Sequence, residues 1–262
     1  MLNFRNTFAV FFLALGTGNL LRFIFGINIP DWYYWTIGLL TILAATYGSS
    51  YIGSNYHFKV ICKREKEGEK QVAISFDDGV DPVQTPLILD ILKNNRIKAT
   101  FFCIGKKCEA NEALVRRIVY EGHIIGNHTY THSHWFDFYG SDRMYKELQQ
   151  TNELLGKFTG KKIRYFRPPY GVTNPTLKKA LLKSGHLPVG WSIRSLDTMH
   201  KRSASDIFHR VKVRMQAGDI ILFHDTVKTI PEVLEALIKF GIENGYTFIG
   251  IDELINENAY FE

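Results

Sequence analysis

Short β-type runs alternate with amphipathic helical patterns along the chain after Gln71. Seven runs rich in Val, Ile, Leu and Phe are each separated from the next by a segment with helical spacing of its apolar residues. In order, these runs are VAISF, KATFFCI, HIIG, IRYF, LPVGWSI, DIILFH and YTFIGI. The alternation predicts an α/β fold with a parallel sheet of about seven strands, open or closed as a barrel. In such folds the functional side chains lie where strands end and loops begin.

The first 58 residues are apolar and differ in kind from the rest. Residues 32–58 contain no Asp, Glu, Lys or Arg, and they begin with the aromatic cluster WYYW, which is typical of a membrane interface. Residues 7–21 form a second apolar stretch, close to the lower length limit for a membrane span. We therefore expect one or two N-terminal transmembrane helices, two of them forming a hairpin. A cleaved signal peptide is the alternative for residues 7–21.

The charged run KREKEGEK at 63–70 lacks apolar periodicity and indicates a linker. The predicted organisation is a membrane anchor at 1–58, a linker at 59–70 and a globular domain at 71–262.

The overall composition excludes several classes of protein. Charged residues make up 22% of the chain and apolar residues 45%, which is ordinary for a protein with a filled core and excludes disorder. The net charge of +6 would suit an acidic partner, but Lys and Arg are scattered, so we expect no nucleic-acid partner. The three cysteines, Cys62, Cys103 and Cys108, have no zinc-ribbon spacing and do not predict a disulfide framework.

Two polar motifs follow the first and third β-type runs. Adjacent carboxylates at Asp77 and Asp78 would repel each other unless a cation or a basic group compensates them. His128 and His132 are spaced i, i+4, which would present both rings on one side of a helical turn and suits one metal ion. With a carboxylate from another strand end they would form a His-His-Asp set with open positions, typical of Zn, Co, Mn or Fe. A solvated turn and surface histidines are the alternatives.

Two further motifs end later strands. RPPYG follows IRYF, where prolines fix the backbone and Arg167 can hold a carboxylate bidentately. In LFHD the strand delivers His224 at its end. A stiff surface turn and a buried core histidine are the alternatives. Four such motifs, each at a strand end, point to one site.

In this order the motifs SFDDG, HTYTH, RPPYG and LFHD resemble those of the polysaccharide deacetylases, carbohydrate esterase family 4, which share the NodB-homology domain. The resemblance implies a distorted (β/α) barrel with fewer than eight strands. It implies that one divalent metal, zinc before Co, Mn or Fe, is held by Asp78, His128 and His132. It further implies Asp77 as general base oriented by Arg167, His224 as general acid, and the Tyr170 N–H as an oxyanion donor.

The fourth family motif departs from its usual Asp-x-x-Asp-Trp pattern. Residues 191–198 read WSIRSLDT, so Arg194 replaces the first aspartate and Thr198 the tryptophan. Asp197 keeps the second aspartate and is predicted to tether and polarise His224. The predicted substrate contacts are Pro168, Tyr170, Trp191 and Arg194. Because arginine binds phosphate and carboxylate groups, Arg194 predicts a preference for an anionic substrate.

The function implied by the resemblance is hydrolysis of acetyl groups from N-acetylated sugars of a peptidoglycan- or chitin-like glycan or glycoconjugate. An O-deacetylase or a deacylase of a lipid-linked sugar, a non-catalytic glycan-binding pseudoenzyme, and a structural membrane protein are the alternatives. No Ser or Cys lies in a nucleophile-elbow context. The expected partners are a glycan and membrane lipid.

The expected location is the cell membrane, with the side of the domain left open. Basic residues at the outer ends of the hairpin favour a cytoplasmic domain, whereas a wall glycan lies outside the cell.

Overall fold

The computed structural model describes residues 3–64, 69–200 and 202–262. The described residues form two N-terminal helices, α1 (Phe4–Ile24) and α2 (Asp31–Ser50), followed by an α/β domain. The strands of the domain are β1 (Gln71–Gly79), β2 (Thr100–Cys103), β3 (Ile124–Asn127), β4 (Tyr165–Phe166), β5 (Leu187–Pro188), β6 (Ile193–Arg194), β7 (Ile220–His224) and β8 (Thr247–Ile249). Its helices are α3 (Gln84–Asn95), α4 (Gly105–Glu109), α5 (Glu112–Tyr120), α6 (Ser141–Thr159), α7 (Pro175–Ser184), α8 (Ala204–Lys212), α9 (Ile230–Glu243) and α10 (Ile251–Ile255). Short 3₁₀ turns occupy Ile52–Ser54, Phe136–Phe138 and Pro169–Gly171.

The strands form one curled, parallel sheet in the order β5-β4-β3-β2-β1-β7-β6, with β8 paired to β1. This architecture confirms the predicted α/β fold and distorted barrel. One predicted strand was wrong in detail, because LPVGWSI divides into β5, which pairs with β4, and β6, which pairs with β7. These partners lie at opposite ends of the sheet, so residues 189–192 cross between its two edges.

Strand β1 separates an apolar layer, packed against the helices, from a polar interior inside the curled sheet. Its side chains alternate, so Phe76 faces the helical layer and stacks on Phe101 of β2 and Phe223 of β7, with ring centroids 5.0 and 6.1 Å apart. Ser75 and Asp77 face the other way, into the curled sheet, and both are nearly fully buried. Burying polar groups there is costly unless they are hydrogen-bonded, so this interior is built for polar chemistry.

The N-terminal helices pair as an antiparallel hairpin. The Tyr33 hydroxyl of α2 donates to the Ala14 carbonyl of α1 over 2.9 Å, and Gly18 leaves room for the Tyr33 ring. Large apolar side chains of both helices remain exposed, for example Leu13 at 71% and Trp35 at 78%. A helix of 21 residues is about 30 Å long, close to the hydrocarbon thickness of a bilayer.

The two apolar segments differ from their sequence-based interpretation. Among the described residues, α1 is the one helix long and apolar enough to cross a membrane by length and composition. The longer charge-free segment, 32–58, is not one helix, because α2 ends at Ser50 and a 3₁₀ turn follows. Its aromatic start and its Gly-Ser end dilute the apolar centre, and the expectation that this segment crosses a membrane stays a prediction.

The base of the hairpin contacts the domain directly. The Thr173 N–H donates to the Ser49 carbonyl over 2.9 Å, and Ile52 packs against Gly171 and Gly190. Part of the predicted linker is also paired, since Ile61 bridges Val189 at the crossing. Residues 65–68 of that linker lie outside the described residues.

Candidate active site

Arg167 occupies the interior of the curled sheet and binds the end of β1. It is fully buried, and its Nη1 lies 2.7 Å from Asp77 Oδ1 and 2.8 Å from Ser75 Oγ. Its Nε and Nη2 donate to the carbonyls of Val189 and Gly190, at 3.0 and 2.6 Å. Arg167 therefore joins β1 to the segment that crosses between the sheet edges. Burial lowers the pKa of Arg167, and the neighbouring Asp77 charge opposes this.

Asp78 and two histidines bring three ligand atoms together. Asp78 Oδ1 lies 3.5 Å from His128 Nε2 and 3.3 Å from His132 Nε2. Asp78 has a positive φ of 67°, which turns its side chain away from the strand alternation, and Lys107 Nζ donates to its carbonyl over 2.7 Å. Burial by itself raises the pKa of Asp78, but the hydrogen bond and charge of a protonated His128, followed by the charges of His132 and His224, outweigh it and hold the pKa well below its usual value.

Both histidines are arranged to offer Nε2. His128 Nδ1 lies 2.8 Å from the Arg167 carbonyl, which can only accept, so this contact places the proton on Nδ1 and leaves Nε2 as the free acceptor. Burial, followed by the neighbouring His128, lowers the pKa of His132 to about 4. A neutral imidazole is the form that binds a metal ion.

The local structure of the HTYTH motif differs from the prediction. Residues 128–132 are not a helical turn, because Thr129 and His132 have φ values of 62° and 49°. The Tyr130 and Thr131 N–H groups donate to Glu147 of α6, over 3.0 and 2.8 Å, and so hold the loop in this shape. The predicted proximity of the rings is still correct, with centroids 4.8 Å apart.

His224 is held by Asp197 from the opposite side of the pocket. The His224 Nδ1 and N–H lie 2.7 Å from the two carboxylate oxygens of Asp197. Burial by itself lowers the pKa of His224, but the hydrogen bond and charge of Asp197, and then the charges of Asp77 and Asp78, raise it above its usual value. His224 Nε2 points towards the centre, 4.0 Å from Asp78 Oδ2.

Most of the predicted site residues surround a single cavity of about 210 Å³. Its lining residues are Asp77, Asp78, His128, His132, Tyr170, Trp191, Arg194, Thr198, Leu222 and His224. Pro168, predicted as a substrate contact, is buried outside this lining, and its carbonyl accepts the Gly171 N–H of the turn. Two contributors were missed from sequence. Leu222 could have been found because it lies two residues before His224 on one strand face, whereas no signal marks Lys107.

The turn at Tyr170 and Gly171 shapes one wall of the cavity. Gly171 has a φ of 74°, and a Cβ there would lie 2.5 Å from Trp191 Cη2, so both conformation and space require glycine. The Tyr170 side chain is 42% exposed at the rim, and its hydroxyl lies 2.8 Å from His134 Nδ1.

Comparison with known proteins agrees with this geometry. A sequence profile of the polysaccharide deacetylase family matches residues 64–189. The chain is 36% identical over 197 residues to the peptidoglycan-N-acetylglucosamine deacetylase of Bacillus cereus, covering 71% of this chain and 89% of the relative. The chain belongs to the polysaccharide deacetylase family. Enzymes of this family are hydrolases, and this chain is one of them.

Further relatives of this polysaccharide deacetylase carry different names. It is 35% identical over 195 residues to the peptidoglycan-N-acetylmuramic acid deacetylase PdaA of Bacillus subtilis, covering 72% of this chain and 73% of that one. The crystal structure of the Bc1960 peptidoglycan N-acetylglucosamine deacetylase matches with a TM-score of 0.70 and 30% identity, over 76% and 94% of the two chains. A carbohydrate esterase family 4 pseudoenzyme from Bacillus anthracis matches with a TM-score of 0.69 and 29% identity, over 74% and 68%.

The Asp78, His128 and His132 set of this deacetylase fits a metal ion. Among the described residues it is the group whose ligand atoms all lie within 4.8 Å of one another. Tetrahedral ligands about 2.1 Å from a zinc ion are about 3.4 Å apart, which agrees with the two Asp78–histidine separations. Two imidazole nitrogens and one carboxylate suit Zn, Co, Mn or Fe.

Proposed function

We propose that the chain is a metal-dependent deacetylase that hydrolyses N-acetyl groups on sugars of a peptidoglycan-like glycan or glycoconjugate. One observation carries the proposal. A three-ligand metal set, a carboxylate paired with a buried arginine and a histidine paired with a buried aspartate all face one small cavity. A divalent ion held by Asp78, His128 and His132, zinc first, would act as a Lewis acid towards the acetyl carbonyl and lower the pKa of the attacking water.

Asp77 is the proposed general base. Its ion pair with Arg167 fixes the carboxylate in place, and a carboxylate can accept a proton from water. Its Oδ2 lies 3.9 Å from His128 Nε2, so a water beside the ligand set is within its reach. Arg167 is the proposed positioning residue, because its bonds to two crossing carbonyls and to Ser75 prevent the guanidinium from moving. The Tyr170 N–H is the proposed donor to the carbonyl oxygen as negative charge develops.

His224 is the proposed general acid. Asp197 raises its pKa, so the imidazolium is available to give a proton to the leaving nitrogen. An amine must be protonated to leave, whereas an alkoxide leaves more readily, so a histidine held in this way supports amide hydrolysis over ester hydrolysis. Hydrolysis of O-acetyl esters remains the alternative, and the experiment below measures it separately.

The non-catalytic alternative is supported by the similarity to the Bacillus anthracis pseudoenzyme. Two features of this chain favour catalysis instead. A glycan-binding module has no use for Asp77 bound to Arg167 or for His224 bound to Asp197, since neither pair belongs to the ligand set.

We also propose that residues 1–58 attach the enzyme to the cell membrane and that residues 71–262 form the catalytic domain. Helix α1 and the exposed apolar surface of the hairpin support this attachment. The Phe4 N–H donates to the Tyr56 carbonyl, so both outer ends of the hairpin lie at the domain. The Ile52 contact with Gly171 lies beside Tyr170, at the rim of the cavity. The cavity is therefore close to the end of the domain that carries the hairpin. Membrane lipid is accordingly a proposed partner.

The test is acetate release by the full-length protein, in detergent, from a panel of N-acetylated and O-acetylated glycans with added metal. Release from N-acetylated members is expected. Release confined to O-acetylated members would replace amide hydrolysis by ester hydrolysis. Binding without any release would support the non-catalytic alternative.

A further inference from the structure

Four arginines converge beside the altered fourth motif. Arg194 lines the catalytic cavity, and its carbonyl accepts Arg210 Nε over 2.9 Å. Arg214 Nη1 donates to the Arg210 carbonyl over 3.2 Å. Arg202 lies just before helix α8 and Arg214 just after it. An open groove of about 640 Å³ runs along this helix and is lined by Arg202, Arg210 and Arg214. Arg194 therefore lines the cavity and contacts Arg210, which lines the groove.

These arginines, here called the arginine cluster, lack paired acids. In the parts of the chain that the structure describes, none of the four has a carboxylate oxygen within 4 Å. Asp206 does line the groove, but its Oδ2 accepts the Ser203 N–H and hydroxyl, over 3.1 and 2.7 Å, in a capping box. Burial lowers the pKa of Arg210, and the charges of Arg214, Arg202 and Arg194 lower it further. The charge of Arg202 also lowers the pKa of Asp206, after the larger effect of its hydrogen bonds with Ser203, so Asp206 is one negative charge beside four positive ones. The remaining positive charges repel one another, so an anion that binds among them is stabilised.

We propose that the arginine cluster is a substrate subsite that binds a phosphate or diphosphate group attached to the acetylated sugar. The inference rests on the proposed function, because it adds a substrate class to the same cavity. Guanidinium groups match phosphate oxygens bidentately. A diphosphate carries more charge than a single carboxylate and engages more than one of the arginines, so it fits this cluster better than a uronate does.

The sequence departure and the groove support the same conclusion independently. Arg194 stands where the family pattern has an aspartate, which reverses the charge at the cavity wall. Thr198 replaces a tryptophan and is exposed at the lining, so a small side chain stands at this part of the wall. A sugar placed in the cavity would then direct its anionic substituent past Arg194 towards α8.

The test compares kcat/KM for three acetylated substrates with the full-length protein in detergent. They are a neutral N-acetylglucosamine oligomer, a nucleoside-diphosphate-linked N-acetylhexosamine and a polyprenyl-diphosphate-linked N-acetylhexosamine. The variants are Arg202→Gln and Arg214→Gln. Lys212→Gln is the matched control, because this lysine of the same helix lies over the Phe208 and Phe240 rings, outside the groove lining.

The expected result is a preference for diphosphate-linked over neutral substrate that falls about tenfold in each arginine variant and persists in Lys212→Gln. Added salt should reduce the wild-type preference. Preference for the polyprenyl form alone identifies a lipid-linked source, and equal preference for both forms identifies the diphosphate itself. An unchanged ratio in both arginine variants, or an equal fall in Lys212→Gln, would overturn the subsite.

A second measurement separates this proposal from the proposed function. Inorganic pyrophosphate should raise the Tm of the wild type and of Lys212→Gln but not that of Arg202→Gln combined with Arg214→Gln. If no substrate releases acetate and this pattern holds, the proposed function fails and the anion site stands. If acetate is released and pyrophosphate stabilises all proteins equally, the anion site fails alone.

Discussion

The two walls of the catalytic cavity differ in how firmly their side chains are fixed by burial and polar partners. On the wall built from β1, β3 and β4, Asp77, His128 and Arg167 are almost fully buried, and each is fixed by a polar partner. On the wall built from β6 and the loop after it, Arg194 and Thr198 are exposed. The first wall matches the family motifs, and the second departs from them. The proposed reaction depends on the first wall and the proposed substrate preference on the second, so the two depend on different residues.

The largest effect is expected for the ligand set of the first wall. His128→Ala or His132→Ala should abolish metal binding and reduce acetate release to background, because affinity depends on all three ligands. Metal content per chain and acetate release would be measured together. The control is His200→Ala, an exposed histidine outside the cavity lining. Full metal occupancy in His128→Ala would eliminate the proposed ligand set.

The acid–base pair should show the next largest effect. Asp77→Asn and His224→Ala are expected to retain the metal and lose acetate release by about two orders of magnitude or more, as is typical when an acid or base is removed. Asp142→Asn, an exposed aspartate paired with Lys183, controls for loss of a surface acid. Near wild-type turnover in either active-site variant would show that its role is misassigned.

Sequence patterns and three-dimensional contacts contributed differently to these assignments. Strand-end motifs predicted which side chains would meet, because parallel strands bring their carboxyl ends to one edge. They did not predict that Val189 and Gly190 cross between the sheet edges, since the contact that holds them comes from Arg167, more than twenty residues earlier. The helical turn predicted for HTYTH was wrong for the same reason, because Glu147 of a later helix determines the loop.

A smaller, pH-dependent effect is expected for the His224–Asp197 pair, which lies where the two walls meet. Asp197 raises the pKa of His224, so Asp197→Asn should lower it and move the alkaline fall of kcat to lower pH. The contribution of the protonated His224 to the free energy of unfolding has the matching sign. It is fully present below the unfolded-state histidine pKa of about 6.5 and is lost as pH rises through the raised folded-state value. A pH–rate profile with the same alkaline limb in Asp197→Asn and wild type would show that the pair does not control the acid.

The smallest effect is expected on the second wall. Arg194→Asp combined with Thr198→Trp restores the family pattern and should change selectivity across the glycan panel by about tenfold, with metal content unchanged. The shift should run from anionic towards neutral substrates. Unchanged selectivity would show that the second wall does not contribute to substrate choice, and the proposed difference between the two walls would then be wrong.

The proposed chemistry depends on one ion held by the first wall. Its most direct test is stoichiometric reconstitution of the chelator-treated, full-length protein with zinc, followed by acetate release from an N-acetylated glycan. Activity is expected to rise linearly and to reach its maximum at about one ion per chain. Full activity in the metal-free protein, or no activity at any metal loading, would contradict it.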